Sequence, residues 1–316
     1  MQHQTKDEIL HAGLTLMSFL GESSSVTSKK LLAFRVFNSC LPVYLLVFVF
    51  ANFPHAEFGM YLKYVQSAIT LFHMLFKYVL FIYFKQDIEG ILKDKIHFWN
   101  YRKFDEKTIR QTTNIYGIVN FIQNSSIAVS FAAILLYFLK PAFNSDDVYI
   151  IDAWIFTDNV IIEVTVLACQ YYFLIVIAII VPGYDSIYLS LCTHVVLQLR
   201  FLKRKLKQLS KYSHGSAERE IRMCIQYHQL LISIFKRMKR IYAIMLLFHY
   251  FVTLLTGCLD LYELLIRKSN LAYMAVMGMS VVFIYAQFGC YTIPAEAVAT
   301  EFSDLSNSIY MTNWYD

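Results

Sequence analysis

The chain has 316 residues, of which 57% are hydrophobic and only 16% charged, with a mean hydropathy of +0.47. A soluble domain of this length needs far more charge on its surface, so the composition excludes an ordinary soluble globular protein. The formal net charge is only +5, and what matters is where the basic residues stand.

The first segment, residues 1–33, carries Asp7 and Glu8 where a secretory leader has basic residues, so the apolar stretch Ala12–Leu20 is not read as a signal peptide. Ile9, Leu10, Gly13, Leu14, Met17 and Leu20 share one helical face. That pattern predicts an amphipathic helix lying on a membrane or packed on a bundle.

Six apolar runs follow, each long enough at about 1.5 Å per residue to cross a hydrocarbon core of about 30 Å. They are Phe34–Phe53, Tyr64–Phe84, Tyr116–Leu139 and Val160–Val181 within residues 34–181, then Ile241–Leu261 and Leu271–Ile293 within residues 241–293. The expected fold is an all-α polytopic membrane bundle. Basic residues then set its orientation. Lys85–Ile115 holds seven Lys and Arg residues and Pro182–Arg240 holds twelve, out of 28 in the chain. Basic loops stay on the cytoplasmic side, so both the amino terminus and residues 294–316 are expected to face the cytoplasm. This is the reverse of a G-protein-coupled receptor. Topology accounts for the basic clusters, which leaves no case for nucleic acid.

Residues 182–240 are too regular for a plain loop. Tyr188, Leu191, Val195, Leu199, Leu202, Leu206 and Leu209 recur at three- and four-residue steps. After a break at Ser210–Ser216 a second stripe runs through Ile221, Cys224, Ile225, His228, Leu231, Ile232, Phe235 and Met238. The pattern predicts a cytoplasmic helical hairpin with an apolar seam that must be buried. Arg200, Lys203, Arg204, Lys205 and Lys207 are available to touch anionic lipid.

Signs of catalysis are absent. The chain has no HExxH, GxxxxGK, GxSxG or CxxC pattern, which points away from an enzyme and implies no metal and no cofactor. Four of the six cysteines fall in spans and two in the basic segment, so no disulfide framework is expected. Lys77, Glu163 and Asp260 are the ionisable residues within or beside spans, where a charge is costly and becomes a functional candidate. Each also has a plain structural reading, Lys77 by pairing or snorkelling. The second outer loop carries Asp146, Asp147, Asp152 and Asp158, either a solvated loop avoiding positive charge or an acidic vestibule. The outer halves of the second, third and sixth spans place Phe72, Ser130, Tyr137, Tyr273 and Met277 among aliphatic residues. Such a lining suits a small apolar ligand, and it equally describes a helix-packing core.

The chain's last residues narrow the choice. Glu301, then Tyr310 nine positions on, then Trp314 and Tyr315 four beyond it, stand in Glu301–Asp316. This segment closely resembles the cytoplasmic stretch that precedes the seventh helix of insect odorant receptors. The inverted topology, short first and third outer loops and long helical inner segment extend the resemblance to the whole chain. It implies a subunit of an odorant-gated, nonselective cation channel, assembled as a heterotetramer with a co-receptor in the plasma membrane of olfactory sensory neurons. The ligand it implies is a small volatile odorant, bound where Phe72, Ser130, Tyr137, Tyr273 and Met277 fall. It also implies a seventh, pore-lining helix after Asp316, so the chain ending there is expected to lack the pore wall. A gustatory-type channel subunit is the nearest alternative. A membrane transporter would show broken spans in corresponding halves, and no repeat relates the two sets of three.

Overall fold

In the computed structural model the described residues are 8–20, 29–55, 58–143, 160–208, 214–266 and 271–310. They form eight α-helices: α1 (Glu8–Phe19), α2 (Lys29–Asn52), α3 (Phe58–Tyr83), α4 (Lys85–Asp94), α5 (Glu106–Phe143), α6 (Val160–Gln208), α7 (His214–Ile266) and α8 (Leu271–Tyr310). Short 3-10 turns at Phe53–His55, Lys95–His97 and Tyr101–Lys103 join some of them, and no strand occurs among the described residues. The protein is an all-helical polytopic membrane bundle.

Helix length explains the architecture. α6 has 49 residues and α7 has 53. At about 1.5 Å per residue each is over twice the roughly 30 Å of a hydrocarbon core. Both therefore run on past the apolar layer, as the periodicity of residues 182–240 predicts. Five helices are long and apolar enough to cross a membrane among the described residues: Leu32–Ala51, Tyr64–Tyr83, Val160–Gln208, Glu218–Tyr262 and Val281–Tyr310. The remaining expected span, Tyr116–Leu139, is helical throughout within α5, several of whose outer side chains lie outside the described residues. The acidic outer-loop residues Asp146, Asp147, Asp152 and Asp158 also lie outside them.

Burial changes character along α6. At its outer end Val160 and Ile161 are exposed. From Pro182 to Leu202 nearly every residue is buried. This inner half is the axis of the main core, where Ile187, Leu191, Val195 and Leu199 pack with Ile88, Leu231, Ile234, Met245 and Val298. A second core joins α2, α3 and the outer half of α6 through Leu45, Leu71, Met74, Tyr78 and Ile180.

The amphipathic first helix packs on this bundle. Ile9, Leu10 and Met17 of α1 are buried. A Cβ on Gly13 would stand 2.9 Å from the Gly183 carbonyl oxygen, so the two helices meet where only glycine fits. The Ser190 hydroxyl donates to the Ile9 carbonyl at 2.6 Å, and Gln123 of α5 donates to Ser190 at 2.8 Å. These partners satisfy polar atoms that burial would otherwise leave at a cost.

The seam of the hairpin is partly as predicted. Leu191, Val195, Leu199 and Leu202 are buried, and so are Cys224, Leu231 and Met238. The face of α7 is turned from the expected one, however. Tyr227 and Ile234 are buried, while Ile221 and Ile225 are exposed. Trp99 explains the turn: its ring stacks on Tyr227 at 4.0 Å and 6°. Its backbone N–H donates to both Gln198 and the Tyr227 hydroxyl at 3.2 Å. The Tyr227 hydroxyl in turn donates to Gln198 at 2.5 Å.

The basic residues assigned to lipid also take protein partners. Arg200 and Lys203 pair with Glu301, Lys203 reaches Asp304 at 3.4 Å, and Lys205 reaches Glu220 at 3.3 Å. Arg204 donates to Thr108 and, at 2.5 Å, to Gln111. Their acidic and amide partners lie up to 101 residues away, which is why local sequence did not reveal them.

Candidate functional site

Two regions carry the chemistry. The outer one holds the residues predicted to line a ligand cavity. Phe72 of α3 is half exposed and packs against Phe248 of α7 at 5.5 Å and against Phe76 at 6.5 Å. Ser130 of α5 donates to the Ser126 carbonyl one turn back, at 2.9 Å. Tyr137 lies on α5 and Tyr273 and Met277 on α8, but their side chains are outside the described residues. The structure therefore brings Phe72 to an aromatic face of α7, a helix that the sequence reading left out of the lining.

The inner region is a buried polar cluster built on Lys77. A lysine is fully buried at a span only where something compensates its charge. Lys77 is 0% exposed, and its Nζ lies 2.7 Å from Asp185 Oδ1 of α6. The same carboxylate accepts from two groups of α8: Gln287 at 2.9 Å on Oδ2, and the Tyr291 hydroxyl on Oδ1. Gln287 and Tyr291 stand four residues apart, hence on one helical face. The Lys77 ammonium also sits 5.3 Å from the centre of the Tyr291 ring, within the range of a cation–π contact. Tyr188 donates to the Tyr291 carbonyl at 2.9 Å. α7 closes the ring: His249 lies 4.9 Å from the Tyr291 ring, and its Nδ1 is 3.2 Å from Nε2 of His73 on α3. Four helices thus meet on one carboxylate and one tyrosine.

The sequence reading singled out Lys77 and missed Asp185. The signal was present, since a lone buried cation needs an anion, and Asp185 is the first acid after the apolar run Val166–Val181. It was hidden by being counted with the basic segment that follows. A similar arrangement stands near the outer end, where Gln66 donates to the buried Asp260 at 2.7 Å.

At the inner end of α8, Glu301 is buried to 7% exposure. Its Oε1 accepts from Arg200 at 2.6 Å and its Oε2 faces the Lys203 ammonium. Phe302 beside it packs against Phe235 at 4.9 Å. Glu301 therefore clamps α8 to the extended part of α6. Tyr310 is exposed, and Trp314 and Tyr315 lie outside the described residues.

The 7tm Odorant receptor family model matches residues 57–316, most of the chain. The chain belongs to this family. The receptor's fold is also that of solved relatives. It matches the insect olfactory receptor OR5 from Machilis hrabei with a TM-score of 0.76 at 14% identity, over 90% of this chain and 75% of that one. Against the same receptor in complex with eugenol the TM-score is 0.79 at 14% identity, over 95% and 81% of the two chains. No curated protein matches this odorant receptor. Glu301 is the acid that holds the inner end of α8 to α6.

Proposed function

We propose that this odorant receptor is the ligand-binding subunit of an odorant-gated, nonselective cation channel that acts with a co-receptor in the plasma membrane of olfactory sensory neurons. The observation that carries this reading is the family match over residues 57–316. The relative solved with eugenol supports a small, largely apolar ligand. The outer halves of α3, α5 and α8 supply suitable chemistry in Phe72, Ser130, Tyr137, Tyr273 and Met277, with aromatic and thioether surface and few hydroxyls. Such a ligand acts by binding one arrangement of the helices more tightly than another, and its leverage cannot exceed that difference in affinity.

The test is electrical. The receptor is expressed with a co-receptor and challenged with a panel of uncharged volatiles that includes eugenol. Exchanging Tyr273 or Met277 for a residue of different volume should reorder the panel while leaving cation permeability unchanged. An unchanged ranking across several substitutions at both positions would assign these residues to packing. In the same cells, an epitope at the amino terminus or within residues 209–213 should be reached by antibody only after permeabilisation. Staining of intact cells would overturn the inverted topology.

A further inference from the structure

Asp185 holds an unusual position. Its carboxylate divides its bonds between α3, through Lys77 on Oδ1, and α8, through Tyr291 on Oδ1 and Gln287 on Oδ2. It lies two residues after Gly183 and three after Pro182, which interrupts the backbone ladder of α6. α8 has a matching interruption, with Pro294 three residues beyond Tyr291. Below it the Glu301 clamp fixes α8 to α6 a second time. α8 is therefore pinned at two levels, with a proline between the pins and the proposed ligand residues Tyr273 and Met277 beyond the upper one.

Apolar packing tolerates small slides and rotations of one helix on another, because it has no preferred direction. A carboxylate with donors on both oxygens does not, since its bonds are lost within a fraction of an ångström. Buried ion pairs are weak evidence for stability, and their best-attested role is fixing register or separating two states. The apolar cores on both sides of the cluster already hold these helices together. What the cluster adds is direction: it makes the positions of α3 and α8 depend on one another through α6.

We propose that the Lys77–Asp185–Gln287–Tyr291 cluster is the joint through which displacement of the outer half of α8 is passed to α3 and to the inner half of the bundle. The inference rests on the reading of the protein as an odorant-gated channel subunit, and it assigns these residues to coupling and not to ligand contact.

The joint is tested in the receptor expressed with a co-receptor and stimulated by the same panel of volatiles including eugenol. Lys77→Met and Asp185→Asn each remove one charge, and the double variant removes both. At matched surface labelling, each single variant should move the half-activating concentration in the same direction by at least about fivefold, the lower bound of typical allosteric coupling. The ranking of odorants should hold. The double variant should shift by less than the product of the single shifts. Unchanged half-activating concentrations at matched surface levels would overturn the joint, as would a changed odorant ranking. A second readout needs no current: paired spin labels, introduced as non-natural amino acids at the exposed positions Val282 and Ile161, measure α8 against α6. Asp185→Asn should broaden that distance distribution. A parent receptor silent to every volatile would count against the proposed function alone, and an identical distance distribution in Asp185→Asn would then overturn the joint.

Discussion

The clamp at Glu301 makes a prediction whose size follows from exposure. Glu301→Gln keeps the side-chain volume and removes the charge that faces Arg200 and Lys203. Breaking a fully buried pair costs about 3–5 kcal/mol, whereas exposed pairs contribute about 0–1 kcal/mol. This site lies between those limits, because the side chains of Glu301 and Lys203 are 10% and 16% exposed while that of Arg200 is 43% exposed. Solvent screening of Arg200 and the remaining Asp304 neighbour reduce the expected loss to about 1–3 kcal/mol. The assay is thermal unfolding of the detergent-solubilised receptor, followed by size-exclusion fluorescence at low and high salt. The midpoint should fall by several degrees at low salt, and the gap should narrow in 1 M salt as the half-exposed guanidinium is screened. A double-mutant cycle with Arg200→Ala should show non-additivity. If Glu301→Gln and the parent receptor unfold at the same temperature in low salt, the clamp contributes nothing and α8 is held by apolar packing alone.

Other outcomes follow from the same geometry. Gly13→Val should destabilise the receptor by about 1–3 kcal/mol and expose α1 to limited proteolysis, because even a Cβ would stand 2.9 Å from the Gly183 carbonyl. Trp99→Leu should cost about 1 kcal/mol through loss of the ring stack on Tyr227, detected as a lower unfolding midpoint than that of the parent receptor. Lys95 donates to His194 at 2.9 Å in the inner loop, where burial pulls its ammonium down to about 8. Between that value and the ordinary lysine range the unfolded chain binds more protons than the folded one. Stability should therefore rise with pH across that window, by at most about 1.4 kcal/mol per pH unit, and Lys95→Met should flatten the slope.

Much of the fold was legible because membranes impose simple arithmetic on a sequence. The apolar runs, the basic inner segments and the three- and four-residue recurrence from Tyr188 to Leu206 each follow from length or periodicity within a local window. Partners across the fold were not legible. Asp185 meets Lys77 from 108 residues away, so the buried cation calls for an acid while its own surroundings leave open which one. The face of α7 was misread for the same reason: Tyr227 is buried by Trp99, 128 residues earlier. Among the ligand candidates, Phe72 meets Phe248 on a helix whose own pattern only announces a span. Periodicity gives the apolar face of a helix, but the neighbour that covers it is chosen by tertiary packing.

The seat of α1 bears on how the receptor is made. The Ile9 carbonyl finds its donor in Ser190, 181 residues later, and Gly13 fits a notch whose other wall is Gly183. During synthesis the first helix leaves the ribosome long before either partner exists. Chains emerge at about 5–20 residues per second, so α1 waits roughly ten seconds or more for α6. Its apolar face needs cover meanwhile, and the membrane surface offers it to an amphipathic helix of this kind. Docking of α1 therefore waits until α6 has arrived in register.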